Sequence, residues 1–223
     1  MIATRKPVVF AVAVAIGVAI VGCSNGTTPP PAALIGAPST AEYAALQAGD
    51  VPKGLVRCAY SGPMTSYLEG IKQLSEKAYG NISATWAALQ AAGAAEGYVA
   101  VYSETAGACD VWVAGEDGIH VRGGSRVVST VVVKFPETAT AEAAYAADIF
   151  KQSALQDKPG LQVLVGSATG LSSNSIVGAN EAANPAVHQA VWQNGPFNVF
   201  LTGRNLTRPE FTSASSLAFS RTQ

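Results

Sequence analysis

Nine consecutive positions, residues 127–135 (VVSTVVVKF), constrain this chain more than any other segment. Val127, Ser129, Val131, Val133 and Phe135 alternate with Val128, Thr130, Val132 and Lys134. Successive side chains of a strand point to opposite sides, and here both sides are largely apolar or β-branched. Such a strand is stable only with both faces covered, which predicts a central strand of a sheet packed on both sides.

The segments around it alternate between helical and extended patterns. Ser39-Thr40-Ala41-Glu42 reads as a capping box before a short helix carrying Tyr43 and Leu46, with Gly49 at its C′ position. Residues 50–58 read as extended, broken by Pro52 and Gly54. From 63 to 79, Tyr67, Leu68, Ile71 and Leu74 recur at helical spacing; Gly80-Asn81 breaks the run, and 82–92 resumes it with Trp86 and Leu89. Residues 98–102 are β-rich, whereas 108–124 read as Gly-rich and irregular, with Trp112 the one large anchor. A helix is expected over 139–152, burying Tyr145 and Ile149. After the Pro159-Gly160 turn come a strand over 161–165 and a Ser/Gly loop or edge over 166–177.

Two local signals are sharper. Asn194-Gly195 between β-rich runs predicts a two-residue hairpin over 187–202. That loop pairs Trp192 with Phe197, Ala190 with Val199 and His188 with Leu201 on one face, with Gln189, Val191, Asn198 and Phe200 on the other. Thr207 and Glu210 form a capping box, Pro209 sits in the tolerated first turn, and Leu206 with Phe211 makes a hydrophobic staple. Phe211, Ala214, Leu217 and Ala218 then supply the buried stripe of a C-terminal helix. The expected class is α+β, an antiparallel or mixed sheet packed with helices, as one compact domain or two small lobes.

Charged residues are 13% of the chain, about half the usual share, so Ala, Ser, Thr and Gly carry much of the surface. The formal charge of −1 and the scattered basic residues make nucleic acid or an anionic lipid surface a poor partner.

The N-terminus carries an address. Arg5 and Lys6 precede a Val/Ala/Ile/Gly run over 8–21, shorter than the roughly 20 residues of a spanning helix. Ile20-Val21-Gly22-Cys23 follows, and this resembles the lipobox of bacterial lipoproteins. The resemblance covers the first 23 residues. It implies a signal peptide over 1–22, cleavage before Cys23, and a diacylglycerol thioether on that cysteine. Residues 23–38, with Pro29, Pro30 and Pro31, then read as a lipidated N-terminus and Pro-rich tether, and 39–223 as the extracytoplasmic α+β domain. Removing 1–22 leaves 12 basic and 15 acidic residues, a formal charge of −3.

With Cys23 assigned to lipid, Cys58 and Cys109 remain, and an oxidising compartment makes a disulfide the default, two free buried thiols the alternative. The latter half of the chain, with its Val131-Val132-Val133-Lys134-Phe135-Pro136 before an Ala-rich helix, is loosely similar to small exported lipoproteins and sensor-like extracellular domains of actinobacteria. That similarity carries over no functional residue.

No catalytic constellation stands out. His120 follows the acidic turn Glu116-Asp117-Gly118, and His188 falls on the apolar hairpin face. Neither has metal-ligand spacing to a cysteine, no Gly-x-Ser-x-Gly elbow sits in a suitable context, and no glycine cluster opens a helix as a phosphate cradle does. Neither a cofactor nor a metal is expected. The recognition candidates are aromatic: Trp192, Phe197 and Phe200, facing a ligand if the hairpin lies at a sheet edge. The expected function is a membrane-anchored, non-catalytic envelope module binding a small apolar ligand or an envelope protein. The alternatives are an extracytoplasmic Ser/His hydrolase using His120 or His188, or a structural or assembly lipoprotein.

Overall fold

Strand β4 (Val127–Lys134) pairs along its whole length with β3 (Glu96–Ser103) on one side and β8 (Phe197–Arg204) on the other. It is the interior strand that its two apolar faces demand. The computed structural model describes residues 40–114, 124–157 and 159–223, all within one compact unit. The leader, Cys23, the tether and Ser39 lie outside the described residues, as do His120 and its acidic turn. Beyond β8 the sheet continues through β7 (Val187–Asn194), β6 (Ser175–Asn180) and β5 (Gln162–Val165). Two short strands, β1 (Val56–Arg57) and β2 (Gly62–Pro63), flank β3. Every pairing is antiparallel, so the architecture is α+β on one eight-stranded antiparallel sheet.

One face is sealed by α1 (Ala41–Ala44), the chain that follows it, and α6 (Arg208–Ser220). Leu46, Val128, Trp192, Val199, Leu201 and Phe211 form the centre of this core; each such buried side chain contributes roughly 1.5–3 kcal/mol. Gly203 matters here: a Cβ would come within 2.7 Å of Phe211 Cδ2 and 3.0 Å of Leu206 Cδ1, so the bare backbone lets α6 lie on β8. The start of α6 is the reciprocal Thr207–Glu210 capping box that the sequence predicts. Its end is pinned by Arg221, whose Nε and Nη2 each donate to an Asp50 carboxylate oxygen at 2.9 Å. That fork joins residues 171 apart in sequence, with the Asp50 side chain almost wholly buried.

The other face carries α2 (Met64–Lys72), α3 (Glu76–Ala91), α4 (Ala106–Ala114) and α5 (Thr138–Ala146). Its main core joins Val99, Val101, Val127 and Val133 to Ile71, Trp86 and Leu89. A Cys58–Cys109 disulfide ties the segment after β1 to α4, with Cα atoms 5.7 Å apart. Among the described residues no helix is long and apolar enough to cross a membrane.

Several expectations change in tertiary context. The hairpin loop is Gly195-Pro196, not Asn194-Gly195, and the closing pair is Asn194 with Phe197. Trp192 therefore faces Val199, Ala190 faces Leu201, and His188 faces Gly203. Pro196 has no N–H to donate, so it cannot close the ladder opposite Gln193 but fits the loop. Gly195 ahead of it takes φ +51°. A shift of two residues leaves every side chain on its expected face.

The long helical run breaks at residues 73–75 rather than at Gly80-Asn81. Ser75 caps α3 by accepting from Ala78 N at 3.1 Å, and burial of Ala78, Trp86 and Leu89 outweighs a glycine in the second turn. Residues 108–114, within the stretch expected irregular, belong to α4, started by the Thr105 hydroxyl accepting from Ala108 N. The first helix is capped by Thr40, not Ser39; it ends at Ala44, with an extended Ala45 as its C-cap and Gly49 outside it. Residues 175–177, the end of the run expected as loop or edge, begin β6, an interior strand because β5 and β7 supply both its ladders. The predicted helix over 139–152 stops at Ala146, since Asp148 and Lys151 adopt φ of +55° and +54°. Leu217 is exposed rather than part of the α6 stripe.

Breaking the disulfide with Cys58→Ser and Cys109→Ser removes a cross-link over a sequence separation of 51. The expected cost in denaturant unfolding is about 4 kcal/mol by the chain-entropy relation, and intact mass rises by about two daltons when the wild type is reduced, one hydrogen per thiol. Asp50→Ala leaves the Arg221 guanidinium without its acceptor; a loss of about 1–3 kcal/mol in the same measurement is expected.

Candidate functional site

The second face is not fully covered. Between α3 and the turn that follows α5 lies an open cleft of about 680 Å³, within the range of small-molecule sites. Its floor is the middle of the sheet: Val99 of β3, Ser129 and Val131 of β4, Phe200 and Thr202 of β8. All project to the same side, as the register of Val99 with Val131 and of Val131 with Phe200 requires.

One wall is helical. Met64 and Tyr67 of α2 and Ile82, Trp86 and Leu89 of α3 face the cleft. Trp86 reaches it by lying over Gly97, where a Cβ would sit 2.8 Å from its Cζ3. Tyr67 packs edge-on against Tyr60 at 5.7 Å between ring centroids, and Tyr60 donates its hydroxyl proton to Cys109 O at 2.6 Å. Burial pushes the Tyr67 phenol up to about 12 and that of Tyr60 higher still.

The opposite wall is Ile149 and Phe150, with Lys151 at the rim. The two residues flanking this pair, Asp148 and Lys151, hold left-handed backbone conformations that cost non-glycine residues energy. Local bonds keep them there: Lys151 N donates to Asp148 O at 2.8 Å, Ser153 N to Asp148 Oδ1 at 3.0 Å, and Gln152 Nε2 to Tyr145 O at 2.6 Å. Phe150 is thereby stacked on Phe200, with ring centroids 6.2 Å apart and planes 17° from parallel.

The apolar floor gives way to a polar row at one end. Ser129, Thr202 and Gln189 face one another across β4, β8 and β7, and Arg204 stands in the next row between Val127 and Val187. Gln189 is 3% exposed and Arg204 8%. Gln189 Oε1 and Arg204 Nε are buried without a hydrogen-bond partner. Desolvation pushes the Arg204 guanidinium down to about 10, and among the described residues it meets no carboxylate.

Of the aromatic candidates, Phe200 alone lines this cleft. Trp192 and Phe197 are 0% exposed on the opposite face, where they are core. The hairpin is interior to the sheet rather than at its edge, so two of its aromatics are sealed under α6. Trp112 falls in α4, its side chain outside the described residues. His188 is buried under α6, its Nε2 3.0 Å from Leu206 O and its ring stacked on Phe211 at 5.1 Å. Burial holds its pKa below the usual imidazole value. Among the described residues no serine hydroxyl bonds that ring, and no three His, Cys, Asp or Glu side chains converge as a metal site would need.

The sequence reading passed over the cleft walls for a physical reason. Trp86, Leu89 and Phe200 carry the periodicity of ordinary core residues, and only helix placement puts them around a cleft, with Phe200 half-buried on its floor. Ser129, Gln189, Thr202 and Arg204 did carry a signal, being polar or basic positions on strands whose neighbours are apolar. No protein-family model, curated protein or solved structure matches this chain.

The raised Tyr67 phenol makes an alkaline prediction. The folded state keeps its proton up to about pH 12, whereas an unfolded tyrosine releases it near 10. The associated stability is therefore present below pH 10 and lost as pH rises from 10 to 12, by about 2–3 kcal/mol. Urea unfolding at pH 9 and pH 11.5 measures this, and Tyr67→Phe should fall less steeply than wild type across that interval.

Proposed function

We propose that this chain is an envelope lipoprotein, held at the outer face of the cell membrane by a diacylglyceryl group on Cys23. Its domain is a non-catalytic module that binds a small, largely apolar ligand in the cleft between α3 and the sheet. One observation carries the binding reading: the middle of an otherwise covered sheet, at Val131 and Phe200, is left open as a cleft of about 680 Å³ between two braced walls. Exposed apolar floor of this kind costs about 25 cal/mol per Å² that further packing would recover, so its retention favours a ligand as the missing cover.

The commitment of His188 to a backbone carbonyl and a phenyl ring supports binding over Ser/His hydrolysis. The lipid address rests on the Arg5-Lys6 start, the short apolar run and Cys23 after Val21-Gly22. A lipid anchor with two or three chains holds a domain at the bilayer far longer than one chain does.

Two measurements test the two halves. Mass spectrometry of the protein from its native cell should show a chain beginning at Cys23 with added acyl mass, lost in Cys23→Ser; an unacylated chain or another start refutes the address. Dodecanol should quench or shift tryptophan fluorescence of the purified domain at micromolar concentration. Val131→Phe, which puts a ring on the open floor, should weaken that binding at least tenfold with an unchanged far-ultraviolet spectrum. A variant that binds as well as wild type removes the cleft as the site.

A further inference from the structure

The polar row at the end of the cleft is the least explained feature of the interior. Several buried polar side chains elsewhere find partners: Asn198 Nδ2 donates to Ala141 O at 3.0 Å, Ser215 Oγ to Phe211 O at 2.9 Å, and Thr130 Oγ1 accepts from Leu46 N at 3.3 Å, whereas Trp192 Nε1, Gln152 Oε1 and Asn198 Oδ1 stand singly without one among the described residues. Among the described residues, Ser129, Gln189, Thr202 and Arg204 form no side-chain hydrogen bond or ion pair. A buried polar group without a partner costs about 1–3 kcal/mol, and a charged one more. Gln189 and Arg204 are two such groups, and with the cleft-lining hydroxyls of Ser129 and Thr202 they gather four polar side chains on one sheet face, an arrangement expensive as structure and useful as a receptor.

Their placement defines what they would receive. Ser129 and Thr202 line the cleft itself, and Gln189 stands beside Thr202 in the same cross-strand row, roughly 5 Å away by strand spacing. Arg204 is two residues along β8 from Thr202 on the same face, one pleat repeat of about 7 Å. A planar guanidinium offers paired donors suited to a carboxylate or phosphate, while the two hydroxyls and the amide add neutral donors and acceptors around it. The rest of the cleft, from Val131 past Phe200 to Trp86, offers apolar contact.

We infer that the ligand is an amphiphile with an acidic head group, a carboxylate or a phosphate monoester, held by Arg204 with Gln189, Thr202 and Ser129, its apolar body lying along Val131, Phe200 and Trp86. This rests on the cleft being a binding site and names the ligand class it takes. Lys151, at the rim beside Phe150, is the cation that lines the cleft itself, but it is exposed and its charge is solvated without a ligand. An anion gains most where water has already been excluded, which favours Arg204.

Three probes of one chain length separate the possibilities: dodecanoate, dodecyl phosphate and dodecanol, each titrated by fluorescence at pH 8. Wild type should bind one or both acids at least tenfold tighter than dodecanol, and the better acid identifies the head group. Arg204→Met should abolish that preference while leaving dodecanol binding within about twofold. Thr202→Val should reduce it, and Lys151→Met should leave it standing. Melting curves check the fold; Arg204→Met is expected to melt no lower than wild type, since it removes an unpaired buried charge, and Gln189→Leu serves in its place if it does not fold. Equal binding of all three probes by wild type, or an acid preference that survives both Arg204→Met and Gln189→Leu, overturns the head-group assignment and leaves the cleft as an apolar site. Binding of none of the probes removes the cleft reading and this inference together.

Discussion

The structure depends on satisfying two strands at once. β4 and β8 lie in the middle of an antiparallel sheet, so their backbone groups are fully paired and their side chains must be covered from both sides. On one side α1 and α6 accomplish this completely, helped by the bare backbone of Gly203 and by the Asp50–Arg221 fork that joins the two ends of the described chain. On the other side the cover comes from two separately anchored groups of helices. The disulfide and Gly97 hold α2, α3 and α4 over β3, and Asn198 holds α5 over the far end of β8 through Ala141 O. The cleft is the gap between those two attachments.

That unequal covering links packing to function. A sheet face of Val131, Phe200 and Val99 is sticky wherever water touches it, and the fold spends two left-handed residues, Asp148 and Lys151, to keep the opposite wall standing rather than collapsing onto it. The buried, unpartnered Gln189 and Arg204 stand next to each other on this face, whereas the sealed one has Trp192 Nε1 alone among the described residues. Sites that await a ligand are commonly less stable than they would be if filled with well-packed side chains, and the cleft with its polar end has that character.

Much of the scaffold was legible because it rests on local rules. The alternation over 127–135 identified the interior strand, Thr207 with Glu210 marked the start of the last helix, and Asn194-Gly195 marked the hairpin to within two residues. The disulfide followed from compartment and count rather than from geometry. Some of the errors share a cause: a distant partner overrides local preference. Residues 175–177, the end of a Ser/Gly-rich run, are strand because β5 and β7 flank them, and Gly80 stays helical because Trp86 and Leu89 are buried beyond it. Trp192 and Phe197 read as candidates for a ligand because nothing local shows that α6 lies over them.

Composition and periodicity alone determined the α+β class, the interior position of β4 and the capped terminal helix. These follow from backbone hydrogen bonding, side-chain alternation and capping, which act over a few residues. Only the tertiary structure decided which aromatics are core and which line a cleft, and which polar residues stand without partners. Those properties depend on how far apart two helices come to rest on one sheet, a distance set by long-range contacts such as Trp86 on Gly97 and Asn198 on α5.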